Sequence, residues 1–355
     1  MKDSNFNQKK AEQFSEGLVD VLNKSAIALA LSIGHRCGIF AAMADLPAST
    51  SQQIADAAGL NERYVREWLG TMVTGRVVNY FPESRTYQLP AEHAAFLTDQ
   101  GEYNFASGMQ FVPILAAIED KLVKCFRDGG GVPYSEYPRF HEVMAAESSQ
   151  TVVAALEPHI LPLVPGLVEK LEGGIDVLDV GCGSGQAMIT LAKRFPNSYF
   201  AGYDFSEEAV GKAKETAKKA GLSNVRFEVR DAANIGETEK YDLITSFDAI
   251  HDQADPAGML SSINQALRPH GVYLVQDIAG SSKLENNYDQ PVAPFLYTIS
   301  LTHCMTVSLA YGGAGLGAMW GEEKAVEMMK EAGFKNVSLN KLDHDFMNTY
   351  YVATK

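Results

Sequence analysis

The sequence predicts an α/β protein, a parallel sheet wrapped by helices and preceded by a mainly helical N-terminal region. Three observations carry that reading. Up to about residue 170 apolar residues recur mainly at helical spacing. From Ile175 onward short apolar runs ("DVLDVG", "SYFAGYD", "VRFEVRD", "YDLITSF", "GVYLVQDI") alternate with amphipathic stretches such as "EEAVGKAKETAKKAG". Strand and helix in that rhythm make a parallel sheet with right-handed crossovers. Directly after the first such strand stands a glycine-rich turn, "GCGSG" at 181–185, and a helix follows it.

Size and composition bound the rest. A chain of 355 residues with 46% hydrophobic and 21% charged side chains can bury a large core and divide into two or three units. The formal charge of −14 repels phosphate backbones and anionic lipid, so nucleic acid and membrane surfaces are disfavoured partners. Four scattered cysteines with no CxxC pair suit a reducing cytoplasm better than a disulfide framework or a zinc site. The polar N-terminus lacks the apolar core of a signal peptide. The most apolar run, "SAIALALSIGHRCGIFAAMA", is interrupted by His35 and Arg36, which favours a buried helix or helical hairpin over a membrane span.

Residues 10–44 read as one or two helices. Thr50 or Ser51 can cap a short helix that Gly59 ends, and Asn61 can cap the next, whose Val65, Trp68, Leu69 and Met72 share one face. Two short strands around "PESR" complete a pattern that resembles a winged-helix module. Residues 45–98 hold four arginines against six carboxylates, a net charge of −2, whereas binding phosphates needs a basic face. A dimerisation or substrate-capping role is therefore favoured over DNA binding. Residues 1–100 are expected to form this helical, winged-helix domain. Residues 101–170 are expected to be a helical linker that adds to a substrate pocket, and 171–355 the α/β domain.

The chemistry concentrates at the strand ends. Gly181 and Gly183 allow a tight turn in which a ligand lies against backbone N–H groups at a helix N-terminus. A dinucleotide fingerprint wants its last glycine where Gln186 stands, so NAD fits poorly. Asp179 precedes the turn. Asp204 closes the second strand, where a carboxylate can accept both hydroxyls of a ribose. Asp231 closes the third, and its side chain can accept from an exocyclic amine while the Ala232 N–H donates to an adenine ring. Three consecutive strand ends in this order resemble class I S-adenosylmethionine-dependent methyltransferases. With the winged helix in front, the chain is similar to small-molecule O-methyltransferases.

The resemblance implies a Rossmann-like sheet of seven strands with a reversed final hairpin, "FKNVSLNKL" and "FMNTYYVATK". It implies S-adenosyl-L-methionine as cofactor, with Asp179, Gly181 and Gly183 at the methionine end and Asp204 on the ribose. Asp231 and Ala232 would face the adenine, Phe205 would stack on its edge, and Phe247 would line the same side.

The acceptor side is less patterned. The family's loop after the fourth strand often reads HDW followed by SDEH. Here "HDQADPAG" keeps His251 and Asp252 but puts Gln253 and Ala257 at the tryptophan and second-histidine positions. His251 is either a substitute base or a residue that holds the loop. A long insert, about 281–320, is expected to cap the substrate. His303 within it is the second candidate base, against a plain role as a core residue. Phe295 and Trp320 from the insert, with Tyr134 and Phe140 from "GGGVPYSEYPRF", are expected to wall the acceptor pocket. No HxxxH or HExxH spacing suggests a metal. The expected activity is methyl transfer to a small, largely apolar or aromatic acceptor, on oxygen, nitrogen or carbon, by a cytoplasmic homodimer. The rival readings are a winged-helix regulator with a ligand-sensing domain, and a protein that binds S-adenosylmethionine without methylating.

Overall fold

A computed structural model describes residues 6–101 and 103–355. The chain divides into two compact units, the first ending at Ile114 and the second spanning Leu115–Lys355. The expected linker, 101–170, is thus shared between the two units.

The first unit opens with the helix Gln8–Arg36, started by Asn7, whose side chain accepts from the Lys10 N–H at 3.1 Å. Only its C-terminal end packs well. Gly34 lets Trp68 and Phe40 approach so closely that an added Cβ would lie 2.6 and 2.7 Å from their rings. The Trp68 indole N–H donates to the Ala30 carbonyl at 2.8 Å. After a turn the short helix Ile39–Ala44 buries Phe40 and Met43. The apolar run around residue 30 is therefore a helical hairpin, but the longer helix is buried only at that end. Phe14, Leu18, Val19 and Leu22 are exposed. By length and composition this helix could also cross a membrane.

Helix Ser51–Ala58 starts with a capping box between Thr50 and Gln53 and stops at Gly59. Helix Glu62–Thr74 starts at Asn61 and buries Val65, Leu69 and Met72. Strands β1 (Asn79–Phe81) and β2 (Thr86–Gln88) pair antiparallel as the wing.

The second unit is built on seven strands: β3 (Asp176–Val180), β4 (Tyr199–Asp204), β5 (Val225–Val229), β6 (Tyr241–Phe247), β7 (Leu267–Ile278), β8 (Asn336–Leu342) and β9 (Asp345–Thr354). Their order is β5-β4-β3-β6-β7-β9-β8, all parallel except β9, which is antiparallel to both neighbours. Val177 and Leu243 enter one apolar core, while Leu178 and Ile244 enter another. Burial on both faces explains why these strands read as continuous apolar runs. The strand order reverses between β3 and β6, which opens a crevice at their carboxyl ends, where open parallel sheets bind ligands.

Candidate active site

A cavity of about 610 Å³ lies at the carboxyl ends of β3, β4 and β6. Its floor is the turn after β3. Gly181 and Gly183 both have positive φ, 76° and 51°. A side chain on Gly181 would strike Ala249 at 2.5 Å, whereas the space above Gly183 is open. The turn is held by the next strand end. Asp204 accepts from the Gly183 N–H at 2.8 Å and from the Ser206 N–H at 2.9 Å. Its oxygens keep lone pairs for further donors. Asp179, almost fully buried, accepts from the Thr245 hydroxyl at 2.7 Å.

Six carboxylates border this cavity, Glu142, Asp179, Asp204, Glu208, Asp248 and Asp252, together with Arg139, Lys212 and Arg230. Burial, aided by the Asp204 charge, pushes Asp179 up to about 7. Burial likewise raises Asp204. Burial carries Asp252 to about 7 and Asp248 to about 6, with His251 pulling both back. Asp248 has a left-handed backbone, φ 55°, which Asp and Asn tolerate better than most side chains. Its Oδ1 is buried without a partner.

Aromatic rings form the opposite wall. Tyr134 meets Phe140 edge-on at 5.3 Å and Phe205 at 6.0 Å, and stacks with His141 at 4.7 Å. His303 lies behind Phe140, stacked on it at 3.8 Å, and its Nε2 has no partner. Burial and the nearby His251 and His141 push His303 down to about 3, so it is neutral at physiological pH.

A second polar layer lies beneath. His251, 2% exposed, donates or accepts through Nδ1 at 2.7 Å from Asp277 at the end of β7. The Trp320 indole N–H donates to the same carboxylate oxygen at 3.2 Å, and Cys304 hydrogen-bonds His251. Burial opposes a charge on His251, yet Asp277 beside it holds the imidazole well above the usual histidine range. Among the described residues, one set of His, Asp, Glu or Cys side chains has ligand atoms close enough to hold a metal. It is Asp248, His251 and Asp277, within 4.8 Å of one another.

Residues 171–333 match the family model of a methyltransferase domain, and residues 25–99 that of an Rv2258c-like winged HTH domain. The chain joins a winged-helix domain to a methyltransferase domain. A putative O-methyltransferase from Nostoc punctiforme superposes with a TM-score of 0.71 at 23% identity, over 95% of this chain and 98% of that one. Human N-acetylserotonin methyltransferase, solved with S-adenosylmethionine, gives 0.71 at 16% identity over 99% of both chains. Among curated sequences, a ubiquinone biosynthesis O-methyltransferase of Leptothrix cholodnii is 26% identical over 145 residues, 40% of this chain and 60% of that protein. A trans-aconitate 2-methyltransferase of Acidovorax is 32% identical over 115 residues, 32% of this chain and 40% of that protein. The chain thus spans about half the length of these curated relatives.

Within the methyltransferase domain, Asp179, Gly181, Gly183, Asp204, Phe205, Ala232 and Phe247 all line the cavity, as do Tyr134 and Phe140. Asp231 does not. Its exposed side chain turns back to accept from the Ala233 N–H at 2.9 Å and caps the turn Ala232–Asn234. Trp320 and Phe295 are not walls of this cavity either. Trp320 is 5% exposed in the core between sheet and helices, and Phe295 is partly exposed on the helix Ala293–Ile299. Neither histidine lines the cavity. His303 is screened by Phe140, and an imidazole with a pKa near 3 is a poor base.

Sequence reasoning passed over Asp277 and Cys304. A carboxylate at the end of an apolar strand, "YLVQDI", was the available signal for Asp277. Nothing along the chain points from Cys304 to His251.

Proposed function

We propose that this protein transfers a methyl group from S-adenosylmethionine to a small acceptor. The observation that carries the reading is the open glycine turn tied by Asp204 at the point where the strand order reverses. The donor set fits the cofactor. Asp204 retains acceptor capacity for ribose hydroxyls, and since they line the same cavity we assign Ala232 and Phe205 to the adenine side and Asp179 and the glycine turn to the methionine end.

When bound, S-adenosylmethionine supplies an electrophilic methyl group on a sulfonium. The chain's own work is to hold the acceptor in line with that methyl and to exclude water. Tyr134, Phe140 and Phe205 provide the apolar screen. His251, bonded to Asp277 beneath the cavity, holds the loop after β6 that carries Asp248 and Asp252. Calorimetry with S-adenosylhomocysteine tests the core of this reading. Micromolar binding is expected, and no heat at millimolar ligand would remove its basis. A labelled methyl donor added to cell extract then identifies the acceptor.

The protein is further proposed to act as a cytoplasmic homodimer, without a membrane or nucleic-acid partner. Exposed Phe14, Leu18, Val19 and Leu22 on a long helix make a patch that a second copy can cover. Arg63 and Arg66 on the winged-helix domain are paired with Glu67 and Glu62, which leaves little positive charge for DNA. Light scattering should give about twice the 38.6 kDa of one chain. A Leu18→Asp, Leu22→Asp double variant should be monomeric. A monomeric parent would refute the pairing.

A further inference from the structure

The carboxylates around the cavity are unequally employed. Asp204 accepts two backbone N–H groups, and Asp179 accepts a hydroxyl. Asp248 Oδ1, by contrast, is buried with no partner. Asp252 accepts only from the amide of its own neighbour, Gln253, at 3.2 Å. Among the described residues no lysine or arginine lies within ion-pair distance of Asp248 or Asp252. His251 is 3.9 Å from Asp248 and spends its charge on Asp277 at 2.7 Å, and Arg139, Lys212 and Arg230, which line the same cavity, form no ion pair with either carboxylate.

We propose that the methyl acceptor carries a protonated amine, which Asp252 and Asp248 hold in the cavity beside the methyl donor. The inference rests on the methyl-transfer reading and names the acceptor class for it. Oxygens that are short of donors are satisfied by a ligand rich in them. An ammonium offers three N–H donors and a positive charge, whereas a neutral phenol offers one donor and no charge. The charges point the same way. Asp252 feels the negative charges of Asp248 and Asp204 together.

The opposite wall also prefers a cation. Tyr134 lines the same cavity as Asp252, and after burial the Asp252 charge is the next cause that raises its hydroxyl. Phe140 and Phe205 flank Tyr134 at 5.3 and 6.0 Å. Ring faces next to a carboxylate are the usual surroundings of a bound ammonium. The acceptor so described is a hydroxylated aromatic ring bearing an aliphatic amine. Its ring would lie along Tyr134 and Phe140, and its hydroxyl would present to the donor.

The test uses the full-length protein saturated with S-adenosylhomocysteine at pH 8, where Asp252, pushed to about 7, is ionised. The probes are tyramine and 4-ethylphenol, which share the phenol ring and differ by the amine. Tyramine is expected to bind about 10-fold or more tighter. Asp252→Asn should erase that preference, and Asp248→Asn should reduce it. Asparagine tolerates the left-handed backbone at 248, so this second variant keeps the fold. Each variant should bind S-adenosylhomocysteine within about threefold of the parent. Equal binding of the two probes overturns the proposal, as does a preference that survives in both variants, or no binding of tyramine at millimolar concentration. Failure of S-adenosylhomocysteine to bind would count against the donor reading instead. Tyramine is then titrated into the unliganded protein, and the same comparisons decide.

Discussion

Replacing His251 with alanine is expected to lower turnover by about 10-fold or more, because it strips the buried Asp277 carboxylate of its bond beneath the loop that carries Asp248 and Asp252. Affinity for S-adenosylhomocysteine should change little, because His251 lies outside the cavity wall. The pH profile separates this positioning role from that of a base. The imidazole is bonded to Asp277 and Cys304, and Asp277 holds it well above its ordinary range. The residual turnover of His251→Ala should therefore keep the parent's pH profile, and His251→Asn should recover part of the loss. A rise with pH that disappears in His251→Ala would show that His251 takes the proton itself, and turnover within threefold of the parent would remove the positioning role.

Asp204→Ala should weaken binding of both S-adenosylmethionine and S-adenosylhomocysteine by about 100-fold or more. Each hydrogen bond to a charged group contributes roughly 1.5–3 kcal/mol, and two ribose hydroxyls lose theirs. The substitution also frees the N–H groups of Gly183 and Ser206, so the turn itself loosens. In the parent, pH should distinguish the two ligands. Burial pushes Asp179 and Asp252 to about 7 and Asp248 to about 6, so these groups are largely protonated at pH 5.5. A sulfonium favours their ionised forms, and its binding releases protons. Affinity for S-adenosylmethionine should rise between about pH 6 and 8, more steeply than that for S-adenosylhomocysteine, whose thioether is uncharged. Calorimetry across that range checks it. Parallel curves would mean that these carboxylates do not sense the sulfur.

The glycine turn and the strand ends that border the cavity were largely legible because their determinants are local. A glycine turn between strand and helix, and an acid at a strand end, are consequences of backbone geometry within a few residues. Asp179, Gly181, Gly183 and Asp204 were readable for that reason, and all four line the cavity. Asp231 shows the limit of the argument. A carboxylate at a strand end can face a ligand or cap the following turn, and here it bonds the Ala233 N–H. The acceptor side was less legible. Trp320 and Phe295 have the composition of pocket walls, but composition does not say which way an insert faces. Trp320 turns its indole N–H onto Asp277 and packs in the core. His303 was placed on an apolar helix, and its neutrality follows from burial behind Phe140.

The sequence by itself determined the α/β class, the winged helix in front of it and the strand ends that border the cavity, since each rests on periodicity or on the conformational needs of a few adjacent residues. Only the tertiary structure decided that His251 meets Asp277, that Cys304 and Trp320 join them, and that Asp248 and Asp252 are left short of donors beside Tyr134. Those contacts join residues 26, 43 and 53 positions apart, His251 with Asp277, Asp277 with Trp320, and His251 with Cys304. They arise because parallel strands set their carboxyl ends side by side in space, an order that adjacency along the chain does not encode.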